Sequence, residues 1–192
     1  MSEFTLGLKA NGSCWAWGNN DYGALGDLFR NDKSSPVSVV GAHSFSVLSV
    51  QNYSSMGLKS DGSCWTWGIN SIGGSLGDNT VTSKSSPVSV VGAHSFTQIS
   101  GGGIFAMGLK SNGECWTWGT NSSTDVGALG DNTTNDRSSP VSVVGAHVFA
   151  SLYDRFAAPA GPSGLTYNIA ARLFAGNVYN ITNAGMNIGT NG

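Results

Sequence analysis

Charge is scarce in this chain. Nine Lys and Arg stand against eleven Asp and Glu in 192 residues, so only 10% of side chains are charged and the formal charge is -2; an average soluble domain carries roughly 25%. Phosphate recognition draws on clustered basic side chains. Here Lys9, Arg30, Lys33, Lys59, Lys84, Lys110 and Arg137 are spread one or two to a loop, so nucleic acid is not an expected partner. Long apolar runs are missing as well. No stretch reaches the about 18 residues that a transmembrane helix needs, and no membrane insertion is expected. The N-terminal MSEFTLGLK lacks a basic segment followed by an apolar one, which leaves no visible signal peptide. Cysteine is confined to Cys14, Cys64 and Cys115. They stand at one register of three similar segments, where sheet packing would space them on the order of 10 Å apart. That exceeds the roughly 7 Å limit for bridged α-carbons, so buried, reduced thiols are expected. No partner ligand at short spacing supports a metal site, and no cofactor is expected.

What the chain has in abundance is repetition. GLKANGSCWAWG at Gly7 to Gly18 returns as GLKSDGSCWTWG at Gly57 to Gly68 and as GLKSNGECWTWG at Gly108 to Gly119. Each is followed by Leu-Gly-Asp (Leu25, Leu76, Leu129), by Ser-Ser-Pro-Val-Ser-Val-Val-Gly-Ala-His (Pro36, Pro87, Pro140) and by a phenylalanine (Phe45, Phe96, Phe149). From Leu to Pro is 11 residues every time and from Pro to His is 7, whereas Cys to Leu varies as 11, 12 and 14. One loop per unit therefore tolerates insertion. A period near 50 residues suits propeller blades. Within a unit, Phe4 to Leu8, the Trp-x-Trp segment, the Pro-Val-Ser-Val-Val run and Phe45 to Val50 read as four short strands. The Asn11-Gly12, Asp61-Gly62 and Asn112-Gly113 pairs mark hairpin turns between two of them.

The string G-L-K-x-D/N-G-x-x-W-x-W-G-x-N, then L-G-D, then a proline and a Val-rich strand, resembles the repeat of the regulator of chromosome condensation family over residues 2 to about 152. The resemblance implies β-propeller blades, usually seven to a ring in that family, and guanine nucleotide exchange on a small GTPase for some members. In the family Gln precedes Leu-Gly; here that position is Ala24, Ser75 or Ala128, which predicts weaker hydrogen bonding between blades. The fold class expected is all-β: a partial or open β-propeller of about three four-stranded blades with a β-rich C-terminal tail. Residues 1–152 form the repeat domain, with units near 2–50, 51–103 and 104–152. Residues 153–192 form a tail that docks on the arc or on a neighbouring subunit.

Recurrence also separates structural from functional residues. A side chain present in every unit serves packing or turns, whereas a catalytic centre needs different residues converging on one point. Trp15, Trp17, Trp65, Trp67, Trp116 and Trp118 are accordingly structural. His43, His94 and His147 read as loop histidines bonded to backbone, and Asp27, Asp78 and Asp131 as turn caps. The run Asp131 to Asp136 only approaches a calcium loop. No nucleophile has a base and acid of its own, and a non-enzymatic chain is expected. The variable loop is the better place for recognition. Its candidates are Asn20, Asp21, Tyr22, Asn70, Ser71, Ile72, Asn121, Thr124 and Asp125.

The strand that precedes Gly-Leu-Lys in the second and third units has no counterpart before Phe4, and Phe149 to Leu152 supplies one copy of it without a unit to follow. Phe149 and Leu152 therefore mark a candidate strand between subunits, and copies of the chain are expected partners. Low charge with abundant Gly, Ser, Thr and Asn suits a virion or extracellular surface, where other virion or surface proteins would be bound. The function expected is that of a structural and interaction protein of a large assembly, with an adhesin or glycan-binding module as the alternative and nucleotide exchange a remote third.

Overall fold

The computed structural model describes residues 3–122, 127–152, 179–182 and 185–188. Thr124 and Asp125, with most of the tail and its expected docking, lie outside the described residues. All regular structure among the described residues is β-strand. In the first unit β1 (Phe4–Leu8), β2 (Cys14–Gly18) and β3 (Lys33–Ser38) form a three-stranded antiparallel sheet in that order. The second unit comprises β4 (Val47–Val50), β5 (Ser54–Leu58), β6 (Cys64–Gly68) and β7 (Lys84–Ser89). The third comprises β8 (Gln98–Gly101), β9 (Phe105–Leu109), β10 (Cys115–Gly119) and β11 (Arg137–Ser142). Each of these is a four-stranded meander with its strands in sequence order. In the tail, β12 (Tyr179–Thr182) pairs antiparallel with β13 (Gly185–Ile188).

Local sequence explains the meander. At the first hairpin Gly12 N–H donates to Lys9 O at 2.9 Å and Lys9 N–H to Ser13 O at 3.0 Å, while Asn11 Oδ1 receives Ser13 N–H at 3.1 Å. Asp61 and Asn112 accept the equivalent amides of Ser63 and Glu114 at 2.9 and 3.1 Å. The outer strand differs from expectation: it begins at Lys33, and Val39 and Val40 lie beyond its end. Trp15 faces Ser38 and Ala16 faces Val37, but Gly18 faces Lys33, so three residues bulge opposite Trp17. Pro36 sits in that bulge on the outermost strand, where a missing N–H forfeits no ladder bond. Val39 and Val40 then turn inward, donating to Cys14 O at 3.0 Å and Gly26 O at 3.0 Å.

The core lies between the blades. Trp67 of the second blade closes over Cys14, Ala16, Leu25, Val39 and Phe45 of the first. Trp118 of the third closes over Met56, Leu58, Cys64 and Phe96. Its indole N–H donates to Ser75 O at 3.1 Å, and that of Trp67 donates to Ala24 O at 2.8 Å. Ala24 O also accepts Ser55 Oγ at 2.7 Å. A blade-to-blade hydrogen bond is thus present at the position where the resemblance implies Gln, and its acceptor is a main-chain carbonyl that any residue supplies. Gly26 and Gly77 lie directly beneath the indoles: a Cβ there would fall 2.8 Å from Trp67 Nε1 and 2.7 Å from Trp118 Nε1. Phe45 and Phe96 lie as closely on Gly57 and Gly108, where a Cβ would come within 2.6 Å of either ring.

The three cysteines are free and buried in this core. Burial pushes the thiol of Cys14 up to about 12 and that of Cys115 up to about 11, and raises Cys64 further. Thiolate, the reactive form, is negligible at neutral pH. Neighbouring inner strands are tied as well: β4 packs beside β8, with Gly101 N–H on Ser49 Oγ at 3.0 Å.

The lids generate an asymmetric expectation. Ala24 O keeps Ser55 as a donor if Trp67 loses its N–H, but Ala106 occupies the Ser55 position in the third blade and offers none. Trp118→Phe is expected to destabilise the chain by on the order of 1 kcal/mol more than Trp67→Phe, since it leaves a buried carbonyl unpaired. Urea unfolding of the two variants measures the difference.

Candidate functional site

Two features recur at every joint and rim: a caged asparagine at the base of each variable loop, and an aromatic stack between blades. Asn20, Asn70 and Asn121 were expected on a recognition surface, and the structure buries all three completely. Asn20 Nδ2 donates to Asp27 Oδ1 at 3.0 Å and Phe29 O at 3.1 Å, while its Oδ1 receives Leu25 N–H at 3.0 Å. Asn70 holds Asp78 at 3.0 Å, Thr80 O at 3.0 Å and Leu76 N–H at 2.8 Å. Asn121 holds Asp131 at 3.2 Å, Thr133 O at 2.9 Å and Leu129 N–H at 3.0 Å. An amide that donates and accepts at once is what a loop folded back on itself requires. The signal was available in the sequence, since each asparagine follows a Trp-Gly pair at the same offset and recurs like the tryptophans.

The caged carboxylates are satisfied by design of the loop. Asp27, Asp78 and Asp131 cap their turns by accepting Phe29 N–H at 3.1 Å, Thr80 N–H at 3.0 Å and Thr133 N–H at 3.0 Å, as read from the sequence. Each also pairs with the cation that opens the outer strand: Lys33 at 3.5 Å, Lys84 at 3.6 Å and Arg137 at 2.6 Å. Burial alone would raise the Asp131 carboxyl, but hydrogen bonds from Thr133 and Arg137 and the Arg137 charge hold it below its ordinary value. With their oxygens spent on amides and cations, these aspartates leave no vacant ligand set. Among the described residues no cluster of three His, Cys, Asp or Glu is placed to hold a metal.

The histidines depart from expectation, for their rings stack instead of bonding to backbone. His43 lies 5.3 Å from Phe45 and 4.3 Å from Trp65, and Lys59 sits over Trp65 at 4.5 Å. His94 repeats this with Phe96 at 5.3 Å, Trp116 at 4.2 Å and Lys110 over Trp116 at 4.4 Å. Burial, then the facing lysine, holds both imidazoles below their ordinary value. A cavity of about 340 Å³ beside His94 is lined by Cys64, Ser63 and the Ser89 to Ala93 segment, with no activated nucleophile.

The remaining loop candidates stay at the surface. Asp21 and Ser71 are exposed, Ile72 is exposed, and Tyr22 is partly held by an edge contact with Tyr53 at 5.2 Å. Sequence reading missed Leu28, Phe29 and Val81, which are 60%, 58% and 60% exposed on the same loops. The first and second loops each lean on the next blade: Leu28 N–H donates to Ser85 O at 2.9 Å, and Asn79 N–H to Ser138 O at 2.8 Å. The loops of adjacent blades therefore form one rim. Leu152 and Phe149 do not sit in a ladder; Leu152 N–H and Ala150 O are held by the Gln98 amide, both at 3.2 Å, beside β8.

Asn70→Ala is expected to cost about 1–3 kcal/mol in urea unfolding, because buried loop carbonyls and Leu76 N–H lose their partner at once. His43 and His94 bind fewer protons folded than unfolded, so they add stability above their unfolded pKa and lose it as pH falls through the folded one. The melting temperature is expected to drop between about pH 7 and pH 5, and a His43→Phe, His94→Phe double variant to flatten that drop.

Comparison with known proteins agrees with this geometry. The model of the Regulator of chromosome condensation (RCC1) repeat matches residues 2–24. No curated protein matches the chain. Among solved structures, Prp20p from Saccharomyces cerevisiae, described with its binding properties to Gsp1p and histones, superposes with a TM-score of 0.64 at 16% identity, over 74% of this chain and 36% of that one. Yeast RCC1 (Prp20) in its complex with Kap60 gives 0.65 at 15% identity over 74% and 35%. Human WBSCR16 gives 0.59 at 14% identity over 79% and 53%. The chain spans about a third of the yeast protein and about half of the human one, and at these identities the likeness is one of fold. With the lidded joints, the bulged outer strands and the threefold motif, it establishes the fold as successive β-propeller blades, the first of which opens with a segment similar to the regulator of chromosome condensation repeat.

Proposed function

We propose that the chain is a non-enzymatic protein-interaction module of a larger assembly, at a virion or extracellular surface, and that its partner docks along the loop rim. The observation that supports this reading is where the apolar surface lies. The aromatics at the two internal joints are taken up there, whereas Tyr22, Leu28, Phe29, Ile72 and Val81 face solvent on the two non-identical loops 19–32 and 69–83; the other exposed large apolar side chains among the described residues, Leu8, Val47, Val50, Val144 and Val148, are scattered over strands and the end of the third unit. Apolar side chains gathered on irregular loops of a rigid scaffold are a usual docking surface. The surface setting rests on composition, with 10% charged residues and 28 glycines. Expected partners are other surface proteins of that assembly. A second reading, nucleotide exchange on a small GTPase, is favoured by the likeness of fold to Prp20p, a protein described with Gsp1p.

Affinity capture from the source extract, followed by cross-linking, is expected to place a bound protein on loops 19–32 and 69–83. A Phe29→Asp, Val81→Asp variant of unchanged melting temperature is expected to lose it. Retention by that variant overturns docking on the rim. A small GTPase loaded with fluorescent GDP is expected to release nucleotide at its intrinsic rate in the presence of the chain; acceleration replaces this reading with the exchange reading.

A further inference from the structure

The two end faces of the array are the two halves of one joint. At the joint between the first and second blades, three contacts recur at the joint between the second and third. A phenylalanine ring lies on a strand glycine, Phe45 on Gly57 and Phe96 on Gly108, too close for any Cβ. The same phenylalanine stacks on the lid tryptophan, at 5.8 Å for Phe45 on Trp67 and 6.0 Å for Phe96 on Trp118. The carbonyl before Leu-Gly receives the lid indole N–H.

At the back of the third blade the plug half of this joint, its phenylalanine and its acceptor carbonyl, is present with no covering partner among the described residues. Ala128 is exposed where Ala24 and Ser75 are 2% and 1% exposed. Phe149 is half-buried where Phe45 and Phe96 are buried, and His147 stacks on Phe149 at 5.8 Å without the tryptophan that His43 and His94 meet. At the front of the first blade the seat half, its strand glycine and its indole N–H, is present with no covering partner among the described residues. Gly7 stands at the register of Gly57 and Gly108, and a Cβ on it would meet only Trp17, at 3.3 Å or more, and the Trp15 carbonyl at 3.9 Å. Trp17, at the register of the fully buried Trp67 and Trp118, is half-buried. Lys9 already sits over Trp15 at 3.8 Å, as Lys59 and Lys110 sit over theirs. Thr5 offers a hydroxyl at the position of Ser55.

The ladder is incomplete in the same sense. β5 bonds to β4 on one side and β6 on the other, with Val47 opposite Leu58 and Leu48 opposite Gly57. Among the described residues β1 bonds only to β2, and its other edge, through Gly7 and Leu8, has no ladder partner there. Ser151 and Leu152 are the counterparts of Val47 and Leu48 and have no ladder partner among the described residues.

We propose that the back of the third blade joins the front of the first blade of a second copy: Phe149 seats on Gly7, Ala128 O receives Trp17 Nε1–H, and residues 150–152 extend the β1 edge antiparallel. The occupant is a second copy because the joint it would make already occurs twice within this chain. Unlike an isologous contact, this one uses two different faces, so it closes into a ring or extends into a filament. Two copies would bring six blades together, within the range of about four to eight found in closed propellers. These faces are separate from the loop rim, and the inference stands or falls independently of the docking proposed there.

Two substitutions isolate the joint. Gly7→Ala places a Cβ in the seat without disturbing a positive φ, and Phe149→Ala removes the plug. Light scattering of the full chain across a concentration series is expected to show a dimer or larger multimer for the wild type and a monomer for each variant, with melting curves showing that both variants are folded. Mixing the variants is expected to restore a 1:1 dimer, since one copy retains an intact back and the other an intact front. A wild type that stays monomeric at every concentration overturns the proposal. So do variants that self-associate as the wild type does, or a mixture that remains monomeric.

Discussion

An indole lid holding its N–H on a main-chain carbonyl of the preceding blade is the contact on which this structure depends. Trp67 and Trp118 are completely buried, and each belongs to the hydrophobic cluster of the blade before its own. A single repeat unit cannot bury its hydrophobic face alone. The tryptophan changes that by making two sheets share one core. It also sets the chemistry of its surroundings: glycine beneath the indole and glycine beneath the phenylalanine, because at both places the ring occupies the volume of a Cβ. The hydrogen bond adds direction to what would otherwise be a greasy contact. Burying the N–H without a partner would work against the burial of the ring.

The loops obey a second constraint, which is to be irregular without leaving polar groups unpaired. Asparagine solves it at the base of each loop, and aspartate with a cation from the outer strand solves it at the far side. Insertions between Cys and Leu are absorbed outside this cage. The loops keep the same anchors at lengths of 11, 12 and 14 residues from Cys to Leu, which lets their tips vary while the scaffold stays constant. The cost of burying the aspartates is offset by amide donors and ion pairs, consistent with Asp131 remaining a carboxylate at lower pH than an isolated one.

Repetition made most of the fold legible. Three copies of Trp-x-Trp-Gly at one spacing announced three equivalent sheets, and Asn-Gly or Asp-Gly pairs announced their hairpins. Recurrence also marked the tryptophans as structural. Asn20, Asn70 and Asn121 carry the same mark, a constant offset from Trp, but they open the variable loop, whose differing residues point to recognition. The exposed Leu28, Phe29 and Val81 were not legible, because exposure of an apolar loop residue depends on which way a neighbouring blade supports the loop.

The sequence by itself determined the number of repeats, the antiparallel meander within each and the burial of the three reduced cysteines, since these follow from local periodicity, turn chemistry and recurrence at one register. Only the tertiary structure decided which partner each buried residue meets. Trp67 crosses 43 residues to find Ala24 O, His43 stacks on Trp65 in place of a backbone bond, and Pro36 falls in a bulge. Those choices are made where one blade's surface meets another's. Shape and hydrogen-bonding capacity there are properties of two segments brought together in space, and no single stretch of chain contains them.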